Sequence, residues 1–319
     1  MRIPAPVLTR RLWDLALASA VVVATFVCGG LTGWAAASLT TNLVALSAIP
    51  LAGGSLAVTA GAIAASRRLS WSAIGLTRAG LVAVPWGLAS ASAVCCLLVV
   101  VALAAGVGEY RPIEPEAIRF DWREWRLGGV ALLAAGAFGE ELFARGLALQ
   151  FLARALGAPA AVAVTSMAFG LLHGANPGVT ALAQWNTALF GAAFALAVLW
   201  RRSLWLAVGL HLGWNLTQVG LGVNTSGITM RLTDLSLALE GPVWVTGGDY
   251  GFEGGLLATG ALLGLVALLR YLPVGESDPM LWDREDCGPA HTGCAGGCGS
   301  GGDTSGRGKA GAVDSSAEG

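Results

Sequence analysis

Apolar residues in this chain gather in long unbroken runs instead of alternating with polar ones. A helix needs about 20 residues to cross the hydrocarbon of a bilayer. Windows of that kind recur near residues 15–38, 43–65, 80–106, 127–149, 158–174, 180–200, 203–222 and 254–271. The pattern predicts an all-α fold, a polytopic membrane bundle of roughly eight transmembrane helices. No strand-period alternation competes with it, and an open sheet could not satisfy its edge groups in lipid. Small residues four apart, Gly29 with Gly33 and Gly260 with Gly264, would let helix backbones approach closely.

Composition points the same way. Of 319 residues 55% are hydrophobic and 12% charged, about half the charged share of a soluble domain. The net charge of −1 supplies no basic field for a polyanion, so nucleic acid is not an expected partner. Cys28, Cys95 and Cys96 lie in apolar runs and the other three cysteines in a Gly-rich segment, which is no disulfide framework. "TRRLWDL" before an apolar run resembles a twin-arginine signal, but with seven further spans behind it a first membrane helix is the simpler reading.

Loop charge sets the expected orientation. With the N-terminus inside, ten loop arginines face the cytoplasm and five (Arg111, Arg119, Arg123, Arg126 and Arg231) fall outside, which places both termini in the cytoplasm. In a prokaryote the membrane would be the plasma membrane. The outer segment "GEYRPIEPEAIRFDWREWR" mixes these cations with acids and aromatics and reads as interfacial. Residues 223–253 form a longer outer loop, with "LTDLSLALE" a candidate short interfacial helix.

Three regions result: N-terminal helices and outer loop at 1–126, a transmembrane core at 127–272, and a Gly-rich cytoplasmic tail at 273–319. The tail lacks the apolar content for a core and is expected to be disordered. Its Cys287, His291, Cys294 and Cys298 match no common zinc spacing, so a solvated tail is expected there.

Ionisable residues inside the spans are few, and each costs about 2.5–3.5 kcal/mol at the centre of a helix. Glu141 and Arg145 in "GEELFARG" stand at i and i+4 and can pair on one face. Glu140 is rotated about 100° away and needs the bundle interior. The other candidates are His173, one helical turn after Phe169, and His211, one turn before Asn215. At about 1.5 Å per residue, Glu140 and His211 come out at similar depth and His173 nearer the outer side.

"EELFAR", "FGLLH" and "HLGWN" resemble the EExxxR, FxxxH and HxxxN motifs of the CPBP family, the CAAX prenyl protease and bacteriocin-processing (Abi) intramembrane proteases. All three occur in the family's order, over roughly residues 125–220. The resemblance implies endoproteolysis of a membrane-associated peptide or protein, on the model of type II CAAX endopeptidases, which remove the last three residues after a prenylated cysteine. It would make Glu140 the group that activates water, with His173 assisting. His211 and Asn215 would stabilise the oxyanion, while Glu141 and Arg145 brace the site and Phe169 supports it. The chemistry suits these residues, because a poorly solvated carboxylate is an effective base and an amide donor stabilises a developing oxyanion. Glu140, His173 and His211 are also a donor set that could hold Zn²⁺ with an open position for water, although no HExxH is present. Two other classes share these features. Ion-coupled transporters place acids and histidines in spans as proton relays, and an inactive scaffold could keep the fold alone.

Overall fold

The computed structural model describes residues 5–37, 43–67, 69–275, 278 and 280–283. All eight apolar windows are helical. They become α1 (Ala5–Ala37), α2 (Leu43–Ala65), α3 (Ala83–Ala104), α4 (Arg126–Arg145) continued by α5 (Leu147–Leu156), α6 (Ala158–Leu172), α7 (Ala181–Arg201), α8 (Leu204–Gly220) and, after the single turn α9 (Val243–Thr246), α10 (Leu256–Leu269). Among the described residues six stretches are long and apolar enough to cross a membrane: Pro6–Ala35, Ser47–Ala65, Ser72–Ala104, Arg126–Leu156, Ala158–Ala175 and Ala181–Arg201. With 17 and 14 residues, α8 and α10 fall short of a full crossing. At 1.5 Å per residue they rise only about 25 and 21 Å against a core of about 30 Å.

The predicted fourth span, 127–149, is two helices. The backbone breaks at Gly146, where an added Cβ would stand 2.3 Å from the Leu142 carbonyl oxygen. No other residue fits that corner, so the chain turns one residue after Arg145. The first helix begins ten residues earlier than the expected 15 and takes in Asp14, which is buried and pairs with Arg154 of α5 at 3.5 Å.

Close backbone contact concentrates where α3 lies along α8. A Cβ at Gly87 would meet the Leu206 carbonyl oxygen at 2.6 Å, one at Gly209 the Val84 oxygen at 2.4 Å, and one at Gly213 the Leu88 oxygen at 2.5 Å. Of the glycine pairs expected to do this, Gly29 and Gly33 pack at 3.3 Å against Pro50 of α2, while Gly260 and Gly264 have nothing within 4 Å. The residues at these two α10 positions face outward.

The bundle has two distinct ends. At one, the turn before α3 meets the turn before α8: Leu204 N–H donates to the Gly75 carbonyl and Trp205 Nε1 to that of Thr77. Met280 and Leu281 are buried there, and Trp282 N–H donates to Gln150 of α5. Packed residues thus recur beyond 273, at Met280 and Leu281, and the cysteines and histidine of the tail lie outside the described residues. At the other end the segments after α3 and α8 form a cap. Strand β1 (Gly108–Tyr110) pairs antiparallel with β4 (Leu237–Leu239), and β2 (Phe120–Asp121) pairs parallel with β3 (Met230–Arg231). These short ladders were not foreseen, and β4 occupies part of the stretch expected to be an interfacial helix. Outside the hydrocarbon, strand edges can be satisfied by water, so the lipid argument against a sheet does not apply to the cap.

Candidate active site

The last two turns of α4 carry Glu140, Glu141 and Arg145, and the break at Gly146 follows at once. Glu141 and Arg145 are fully buried, with Glu141 Oε1 accepting from Arg145 Nη1 at 3.1 Å. The same carboxylate oxygen accepts from His211 Nδ1 at 2.9 Å. Glu141 therefore bridges α4 and α8 as well as bracing its own helix. Arg145 reaches further, donating from Nη2 to the Gly191 carbonyl of α7 at 3.1 Å. A Cβ at Gly191 would meet that nitrogen at 3.1 Å, so the small residue admits the contact. The guanidinium also lies over the Phe169 ring, 4.4 Å from its centroid, which packs Phe169 against the buried pair.

Each histidine has one ring nitrogen committed. His173 sits where α6 passes into a 3₁₀ turn, and its Nδ1 is 2.8 Å from the Phe169 carbonyl oxygen. A carbonyl only accepts, so Nδ1 is the donor in this bond. A carboxylate also only accepts, so His211 donates from Nδ1 to Glu141 and its Nε2 is the nitrogen turned towards Glu140, 3.9 Å from Oε2. The His211 ring stacks on Phe194 at 5.1 Å, a contact that fixes its plane. Glu140 is 30% exposed in its side chain, and its Oε2 makes no hydrogen bond.

Glu140, His173, His211 and Asn215 all line one cavity of about 410 Å³. The depth mismatch of His173 expected from residue counting does not separate it from the other two. One wall of the cavity is apolar, with Phe26, Leu51, Leu132 and Phe143 from α1, α2 and α4. The cap contributes the polar Thr225, Ser226 and Glu253 together with the apolar Ile228 and Met230. Among the described residues no three His, Cys, Asp or Glu side chains are arranged to hold a metal ion. Glu140, His173 and His211 thus do not stand as a formed metal site among the described residues.

Glu253 was not singled out from the sequence. It is buried, accepting from Trp214 Nε1 at 2.7 Å and Gln218 Nε2 at 3.0 Å, and from the Ser226 N–H at 2.9 Å and hydroxyl at 2.5 Å. Beside it, Asn186 of α7 donates to the carbonyls of Glu253 and Gly255 at 2.9 Å each. These bonds fasten the cap to α7 and α8. "DYGFEGG" has no periodicity to mark its glutamate as buried, and only the fold brings it to the cavity.

Residues 122–217 match the family model described as Type II CAAX prenyl endopeptidase Rce1-like. The matched segment is less than a third of the 319 residues and contains all three motifs. No curated protein and no solved structure matches the chain.

Proposed function

We propose that this multi-pass membrane protein is an intramembrane endopeptidase that hydrolyses a peptide bond with a water activated by Glu140. The observation that carries the reading is the convergence of Glu140, His173, His211 and Asn215 on one cavity, with Glu141 and Arg145 buried behind them. Glu140 takes a proton from water as the oxygen attacks the scissile carbonyl, and His173 Nε2 accepts a hydrogen bond from the same water. His211, donating from Nε2, and Asn215 stabilise the oxyanion. The carbon–nitrogen bond then breaks, and the proton held by Glu140 passes to the departing amine. Glu141 acts through His211, holding its ring so that Nε2 faces the reacting carbonyl. No step is routed through a metal.

The substrate is a membrane-associated peptide or protein whose apolar part lies along α1, α2 and α4, and the active protein has both termini cytoplasmic. The test is cleavage of a labelled library of membrane-anchored peptides by purified protein. Products that disappear in Glu140→Gln support the reading. Uptake of a solute by proteoliposomes without peptide cleavage would replace it with a carrier.

A further inference from the structure

Two buried arginines are treated differently by this fold. Arg145 has Glu141 as its counter-charge. Arg231, in the cap, is only 4% exposed and has no carboxylate within ion-pair distance among the described residues. Its Nη1 donates to the Met230 carbonyl at 2.8 Å, and its Nη2 to Asn224 Oδ1 at 3.3 Å and Ser236 Oγ at 3.4 Å. Its Nε is buried without a partner. A guanidinium cannot shed its proton to relieve the cost of burial, so it requires an anion. Burial alone shifts Arg231, downward, which is the direction expected where no acid compensates.

A second cavity of about 230 Å³ opens against this side chain. Its lining includes Arg231, Asn224, Ser236 and Thr229, with Arg111 also present. Arg111 is exposed and already bonded to Glu109 and Glu240. Glu114 and Asp249 also line the space, but both are exposed. Water screens them more than it screens a buried cation. Around the cap, Trp125, Trp244 and Val243 are more than half exposed, as apolar and aromatic side chains are at the level of lipid headgroups.

We infer that this cavity, separate from the one holding Glu140, binds a phosphate-type oxyanion on Arg231, either free phosphate or the phosphate of a lipid headgroup. Arg231 brings the positive charge to the lining, and the hydroxyls of Ser236 and Thr229 beside it can donate to an oxyanion. The inference does not depend on the protease reading.

The full chain, purified in a maltoside detergent that contains no phosphate, is melted against three probes at constant ionic strength. These are inorganic phosphate, short-chain phosphatidylglycerol and the matching diacylglycerol. A saturable rise in Tm of about 2–4 °C is expected with phosphate, with phosphatidylglycerol, or with both, and none with diacylglycerol. A response to both probes or to phosphate alone identifies a general oxyanion site, and one to phosphatidylglycerol alone a headgroup site. Arg231→Gln should abolish the rise. Should that variant not fold, Arg231→Lys, which keeps the charge and loses the fork, and Ser236→Ala should each weaken the response several-fold. Asp249→Asn should strengthen it by removing a like charge from the rim. A flat response to phosphate and phosphatidylglycerol, or a rise unchanged in the arginine and serine variants, would overturn the inference. So would an Asp249→Asn protein that loses stability and ignores phosphate, since Asp249 would then be the counter-ion.

Discussion

Glu141 holds Arg145 and His211 through one oxygen, and this separates bracing from chemistry at the level of single residues. Glu140→Gln removes the proposed base, whose Oε2 makes no hydrogen bond, so turnover should fall at least ~10²-fold with Tm little changed. His173→Ala and His211→Ala should each abolish turnover without summing, because the groups act as a unit. Arg145→Ala strands a buried carboxylate and should cost about 3–5 kcal/mol, seen as lower Tm and expression. The double variant Glu141→Gln with Arg145→Gln removes both charges and should recover much of that stability. It should not recover activity, because His211 loses the carboxylate that fixes its ring. Peptide cleavage and melting across the set check these outcomes, and a double variant with full turnover would remove Glu141 from the positioning role. The i and i+4 spacing made the Glu141–Arg145 pair readable in the sequence. The bridge to His211 spans 70 residues and the Glu253 contacts span 27 to 39, and no local pattern encodes either.

Helix α8 carries His211 between two of its glycines, Gly209 and Gly213, each in contact with the backbone of α3. Apart from the early start of α1 and the continuation of the fourth window into α5, apolar windows located the helices to within a few residues, because burial in lipid imposes a length. They could not show which small residues touch a neighbour, since a Gly-xxx-Gly face reads alike whether it meets a helix or open lipid. Gly213→Ala should therefore cost about 1–3 kcal/mol by overpacking and also lower kcat by displacing His211 and Asn215. Gly264→Ala, with nothing within 4 Å, should be neutral or slightly stabilising, because alanine is the better helix former. Equal loss of Tm in both variants would contradict the assignment of α3 and α8 as the close pair. In the cap, Arg123 bonds Asp121 on β2 and Asp234 beyond β3. Its guanidinium holds the Asp121 carboxyl below the usual range. A depressed acid contributes its stability above its unfolded value and loses it as pH falls through the folded one. The β2–β3 clip should accordingly loosen only in acid below the ordinary aspartate range, visible as faster amide exchange at Trp122 and Arg231.

The molecule as a whole closes on itself at the end opposite the cap, and this changes what can be removed from it. Composition alone set the start of the tail at residue 273, since glycine and polar residues dominate from there on. Yet Met280 and Leu281 return to the bundle, buried beside Gly75 and α5. Four residues in a polar setting carry too little signal for a hydropathy window to register, so only packing reveals them. A truncation after Gly275 would remove both side chains and free the Gln150 amide bonded to Trp282 N–H. Deleting one buried Met or Leu side chain costs about 2–5 kcal/mol, so this protein should express poorly and melt early. A truncation after Arg284 keeps those contacts and should match the full chain in Tm and in cleavage. Because α5 follows Arg145 after one glycine, the shorter truncated protein should also lose turnover in proportion to its folded fraction, with KM unchanged in the part that folds. Melting, expression and cleavage of the two truncations decide it. Equal behaviour in both would show that the 280–283 turn does not hold α5, and loss of activity in the longer one with Tm intact would place residues beyond Arg284 in the mechanism.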